Sequence, residues 1–144
     1  MGFPCWAEAI AAATGYSAGH VATFALESGQ LDWAGANGGL LFPCILRIAS
    51  DLTGMAWQID WDLFFRDIKG GDLSRISVGD LIGRVRSKPC IVSIEGLDHA
   101  IAIVGGRIVD NIPNYARPEH VVSFASLEPS ARYEGRIRNA HDTT

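Results

Sequence analysis

The stretch HAIAIVGGRIVD, His99 to Asp110, reads as two apolar strands around Gly105-Gly106. A two-residue hairpin turn needs positive φ at one or both central residues, and glycine adopts it without steric cost. The register then follows by counting: Val104 faces Arg107, Ile103 faces Ile108, Ala102 faces Val109 and Ile101 faces Asp110. Side chains alternate with period two, so His99, Ile101 and Ile103 share a face with Ile108, Asp110 and Ile112. Asp110 is thus a diagonal neighbour of His99, at a Cα separation of about 7 to 8 Å that a carboxylate and an imidazole can bridge. An acid beside a histidine on an Ile-rich face is costly unless the two satisfy each other. A bulge or a longer turn would reverse the parity and bring up Asn111 in place of Asp110. Alone, such a pair can be purely structural; a third partner would make it chemical.

Working outward, short runs rich in Ile and Val continue the strand pattern on both sides: Cys90 to Ile94, Val121 to Phe124 and Arg132 to Arg138. Upstream the period is helical. The alanine-rich stretch from Cys5 to Ala13 follows Pro4 and stops at Gly15, Ser17 can cap a second helix through Leu26, and Pro43 to Leu52 forms a third before Gly54. Trp57, Trp61, Phe64, Phe65 and Ile68 fall on one helical stripe, which reads as core packing. Ser77 and Asp80 look like a capping pair for Val78 to Val85. Helices first and strands after predict an α+β fold, an N-terminal helical half over about 1–87 packed on a C-terminal antiparallel β-sheet over about 88–138. No linker divides the 144 residues, so one domain is expected.

Two segments supply the missing third partner. FPCWAEAIAAATG, Phe3 to Gly15, and FPCILRIASDLTG, Phe42 to Gly54, both place a cysteine just after a proline at a helix start. There the unpaired amides and the helix dipole lower a thiol pKa. Cys5 is the preferred nucleophile, with Cys44 second because Ile45 and Leu46 make its surroundings more apolar. Cys90, in mid-strand, reads as core. His20 and His120 read as surface or partly satisfied histidines, and the acids Asp60 and Asp62 as solvent-facing.

With these residues in order, the chain resembles the papain-like cysteine peptidase superfamily, which starts a helix at its nucleophile and carries the histidine and its Asp or Asn on later strands. Cys5-Trp6-Ala7 matches the nucleophile and its next two residues in papain-type members. The order Cys5, Ala13-Thr14-Gly15-Tyr16, Lys88 to Gly96, then His99 to Asp110 is more similar to the small bacterial and phage type related to bacteriocin-leader peptidases. The resemblance implies a Cys5-His99-Asp110 triad acting on an amide, isopeptide or thioester bond of a peptide or protein substrate. It also implies an oxyanion-hole glutamine a short way upstream of the cysteine, yet only Met1 to Pro4 precede Cys5. Gln30 and Gln58 are the possible replacements. A papain-like shell that binds a host or partner protein without turnover is the alternative.

The totals narrow the remaining classes. A net charge of -4 and a pI near 5.5 disfavour phosphate-driven binding to nucleic acid. No apolar run approaches the length of a membrane span, and no export signal is visible, so a cytoplasmic protein off the membrane is expected. Three cysteines without a C-x-x-C pair, and four histidines without paired spacing, point to neither a disulfide framework nor a metal site, and no cofactor is expected.

Overall fold

The computed structural model describes residues 3–29, 40–60, 76–96 and 99–133. Among them, four helices precede four strands: α1 (Cys5–Thr14), α2 (Ala18–Glu27), α3 (Phe42–Thr53), α4 (Val78–Val85), β1 (Cys90–Ile94), β2 (His99–Val104), β3 (Arg107–Val109) and β4 (Val122–Leu127). The fold is α+β, with one antiparallel sheet in the order β3-β2-β1-β4.

Local chemistry sets the helix ends. Pro4 precedes α1, and Gly15 closes it at φ 87°, its amide bonding the Ala11 carbonyl at 2.9 Å. That left-handed turn is one that glycine enters without a Cβ clash. Ser17 caps α2 through the His20 amide, and Ser77 and Asp80 form a reciprocal capping box on α4. Pro43 lies in the first turn of α3, where a missing N–H costs nothing.

The hairpin has the expected register, Val104 to Arg107, Ile103 to Ile108 and Ala102 to Val109. Gly105 and Gly106 both take positive φ, 60° and 77°, the pair of signs a tight I′-type turn requires. β1 is the central strand, paired with β2 on one side and β4 on the other.

Alternation along these strands divides the core in two. Ile91, Ala100 and Ala102 pack under α1, α2 and α3 with Trp6, Ile10, Val21, Ile45 and Ile48. Cys90, Val92, Ile94, Ile101 and Ile103 pack on the opposite face with Val78, Leu81 and Val85 of α4. The helices therefore do not all lie on one side, and the sheet is covered on both faces. Each fully buried Val, Leu or Ile contributes about 1.5 to 3 kcal/mol, which makes the two-faced strands β1 and β2 the anchor of the molecule.

Three sequence expectations need correction. Trp57 does not start a helix: the described chain after Met55 has no regular secondary structure, and the Ser50 hydroxyl accepts from the Trp57 amide at 2.9 Å and donates to its carbonyl at 3.1 Å. The Trp57 backbone is satisfied without helical bonds while its ring is buried, and the rest of the stripe, Trp61 to Ile68, lies outside the described residues. Asp60 is not a free surface acid, because its carboxylate accepts the Leu127 amide at 2.7 Å; Asp62 lies outside the described residues. The strand after Pro118 runs from Val122 to Leu127, with a register shift against β1 between Ser93 and Ile94. Of the expected last strand, Arg132 forms a single bridge with Met55, and 134–138 lie outside the described residues.

Candidate active site

α1 packs along β2, so its first residue, Cys5, arrives at the start of that strand, where His99 is the first residue. The two side chains line one cleft, close enough that each shifts the other's ionisation. On its other side the His99 ring faces Asp110, with Nε2 at 2.6 Å from Oδ1. With Nε2 engaged, Nδ1 is the ring nitrogen left for the thiol. The sequence-predicted trio is thus brought together from distant parts of the chain.

Asp110 is held as firmly as it holds. The Ile112 amide donates to Oδ1 at 3.1 Å and the Ala116 amide to Oδ2 at 2.8 Å. An acid accepting from the amide two residues on is an Asx-turn, which here starts the loop after β3. The loop returns Tyr115 against the histidine, ring edge to ring face, with centroids 4.9 Å apart. Both members of the His99-Asp110 pair are almost entirely withdrawn from solvent, at 5% and 6% side-chain exposure.

The hairpin also explains a backbone donor at the sulfur. Val104 and Arg107 flank the two-residue turn as a hydrogen-bonded pair, so by alternation Ala102 and Ala100 also direct their amides toward the β3 side. β3 ends at Val109, opposite Ala102. The Ala100 amide, beyond the end of β3, and the Trp6 amide both favour the thiolate form of Cys5.

Burial alone would raise the Cys5 pKa. It is outweighed by the hydrogen bond from His99, the Ala100 amide, the positive charge of His99 and the Trp6 amide, so the thiol ends below its ordinary value. The His99 pKa is raised, first by its hydrogen bond to Cys5 and then, against the opposing effect of burial, by the hydrogen bond and charge of Asp110. Both shifts move toward a thiolate beside an imidazolium.

The other expected residues fall elsewhere. Cys44 sits exposed in the first turn of α3 while Ile45 and Leu46 turn inward, so the apolar surroundings expected of it belong to its neighbours. Cys90 is fully buried, and burial pushes its thiol up to about 12. Asn111 lies on the opposite parity from Asp110 and donates to the Phe3 carbonyl at 3.4 Å. Gln58 is exposed in a groove with Pro43, Leu46 and Trp57, away from the Cys5 cleft, and Gln30 lies outside the described residues. The ring of His20 stacks on Tyr16, and His120 Nδ1 accepts the Arg117 amide.

The cleft at Cys5 is walled by Leu40, Phe42 and Ile45, floored by Ser93 and Ala100, and encloses about 20 Å³. That is room for one water. Among the described residues no group of three or more His, Cys, Asp and Glu could hold a metal ion, and no helix is long and apolar enough to cross a membrane. Sequence reading missed Tyr115, the Ala100 amide and Ser93. Only the Asx-turn behind Tyr115 left a sequence signal, an Asp at a strand end followed by Pro113 and Asn114. No protein family, characterised protein or solved structure matches the chain.

Proposed function

We propose that this chain is a cysteine hydrolase or acyltransferase of the papain-like type, acting on an amide, isopeptide or thioester carbonyl of a peptide or protein. The observation that carries the reading is that Cys5 and His99 line one cleft and shift each other's ionisation, while Asp110 bonds the His99 ring at 2.6 Å. A structural His-Asp pair has no need of a thiol at a helix start, and a helix-start thiol has no need of an oriented imidazole. In the proposed reaction the Cys5 thiolate attacks the carbonyl carbon, and the carbonyl electron pair moves onto oxygen. As the carbonyl re-forms, the bond to the leaving group breaks, and His99 gives its proton to the departing amine or thiol. Water, or a second acceptor, then attacks the acyl-Cys5 thioester with neutral His99 as base, and the thiol is regenerated. Asp110 keeps the ring oriented and stabilises its protonated form. At the start of α1 the Cys5 amide is one of the helix's unpaired donors and suits the developing oxyanion. A cytoplasmic setting fits a catalytic thiol that must stay reduced.

One observation favours the second reading, a papain-like shell used for binding. The cleft at Cys5 has room for one water, and the candidate glutamine Gln58 is not part of it. The two readings part on a single experiment. The wild type, Cys5→Ala and His99→Ala are treated with p-nitrophenyl acetate, and acetylated protein is located by mass spectrometry. Acetyl-Cys5 in the wild type, none in Cys5→Ala and a slowed reaction in His99→Ala support the enzyme. A biological effect retained in full by both folded variants establishes the binder.

A further inference from the structure

A second face of α3 borders a groove of about 640 Å³, apart from the Cys5 cleft. Phe42 and Ile45 of this helix wall the cleft, whereas Pro43, Leu46, Arg47 and Ser50, at i, i+3, i+4 and i+7, line the groove. Its opposite wall is the irregular chain over 56–59, which is tied down along its length. The Ser50 hydroxyl bonds both the amide and the carbonyl of Trp57, and the Ala56 amide bonds the Ala131 carbonyl at 2.9 Å. Asp60 bonds β4 through the Ala125 carbonyl and the Leu127 amide, and the Tyr133 amide bonds the Gly54 carbonyl at 2.9 Å, which brings Tyr133 to the groove. Irregular chain held by this many bonds forms a concavity that exists before a ligand arrives.

The lining has two characters. Leu46, Trp57 and Ile59 are apolar, Gln58 and Tyr133 bring neutral hydrogen-bonding groups, and Arg47 is the one charged residue among the described residues that line it. The Trp57 indole N–H is buried without a hydrogen-bond partner, which gives an acceptor a second reason to settle there. Small-molecule pockets of about 300 to 1,000 Å³ pair apolar walls with a few placed polar groups in this way. We propose that the groove binds a small carboxylic acid in its ionised form, its apolar body against Leu46, Trp57 and Ile59 and its carboxylate on Arg47. The planar fork of a guanidinium matches the two oxygens of a carboxylate. A phosphate fits this lining less well, because it offers a single cation among apolar walls. On a chain of net charge -4, an acid-free groove with one guanidinium is a local exception that attracts an anion. Binding here does not require Cys5 to be catalytic.

The probe is phenylacetate, titrated into the full chain and followed by NMR. Saturable shifts should appear at the Trp57 indole N–H and at the methyl groups of Leu46 and Ile59. Phenylacetamide, which keeps the shape and lacks the charge, should bind roughly tenfold more weakly or worse, and so should phenylacetate to Arg47→Gln. Arg47 is exposed on its helix, so this substitution should leave the melting profile unchanged. Arg47→Lys, with the charge but not the fork, should lie between, and Cys5→Ala should bind as the wild type does. Equal affinity for the acid and the amide, or full binding by Arg47→Gln, overturns the carboxylate assignment, as does inorganic phosphate that saturates the same shifts equally well. Shifts centred on Leu40 and Ala100 would move the ligand to the Cys5 cleft, and the absence of any saturable shift at millimolar phenylacetate overturns the site itself.

Discussion

The Ala100 amide favours the Cys5 thiolate from the part of β2 that extends past β3, which stops opposite Ala102. On the proposed reading, the shortness of that edge strand would help to activate the thiol. A thiolate gains from each donor pointed at it, and here one donor comes from helix α1, one from strand β2 and one from a side chain.

Thiol selectivity is the direct result of this arrangement. At about pH 6 an ordinary thiol of pKa about 8.5 is almost wholly protonated, so brief iodoacetamide treatment should mark Cys5 first. Cys90, buried and pushed up to about 12, should remain unmodified until the protein unfolds. Peptide mapping by mass spectrometry reads the result, and preferential labelling of the exposed Cys44 would move the nucleophile to the second Phe-Pro-Cys.

Asp110 serves both the ring and the loop, so Asp110→Asn should have two effects. Loss of the negative charge lowers the His99 pKa, which an NMR titration would detect, and slows Cys5 labelling near pH 6. If the amide keeps its oxygen toward His99, its NH₂ meets the Ala116 amide, donor against donor, at a cost of about 1 to 3 kcal/mol in thermal or urea unfolding. Asn111→Ala should leave the His99 titration where it was. The reverse ranking would make Asn111 the orienting group.

The pH dependence of stability has a sign on each limb. His99 has a raised folded pKa, so its contribution is complete below its unfolded value of about 6.5 and is lost as pH rises through the folded pKa. Cys5 has a lowered folded pKa, so its contribution is complete above its unfolded value of about 8.5 and is lost as pH falls through the folded pKa. The two contributions overlap at pH values where Cys5 is ionised and His99 is still protonated. The melting-temperature difference between the wild type and Cys5→Ala should peak inside that interval and shrink on either side; a difference independent of pH would show that the two groups are not charged together.

The hairpin turn can be tested apart from the site. Gly105→Ala or Gly106→Ala forces a Cβ into positive φ with no neighbouring atom in its way, so the cost is conformational, about 1 to 2 kcal/mol. Melting should fall by a few degrees while Cys5 labelling keeps its rate, since the pairing of β2 with β1 holds His99 in place.

Much of the sheet and of the candidate site was legible because both rest on local rules. Gly105-Gly106 permits one tight turn, and the turn, counted outward, puts Asp110 diagonal to His99; no long-range information is needed. The capping box at Ser77 and the glycine at position 15 are equally local. The arrival of Cys5 at His99 depends on which way α1 lies across the sheet, which the residue pattern alone does not determine. Trp57 misled because an aromatic spacing of four and seven is the same whether a helix carries it or whether the first ring enters the core from an irregular segment pinned by Ser50. Tyr115 was invisible because its place is set by a carboxylate collecting two loop amides, a closure that no periodicity encodes.

Cys5 and His99 lie far apart in sequence, so on the proposed reading the thiol is synthesised long before the histidine that would activate it. Through most of translation Cys5 has neither His99 nor the Ala100 amide, and its ionisation is that of a cysteine in a peptide. The hairpin, and with it the loop that carries Tyr115, must emerge and dock on α1 before the sulfur acquires its donors. On the proposed reading, nascent chains would carry an ordinary thiol, and raised reactivity would wait for the hairpin to dock on α1.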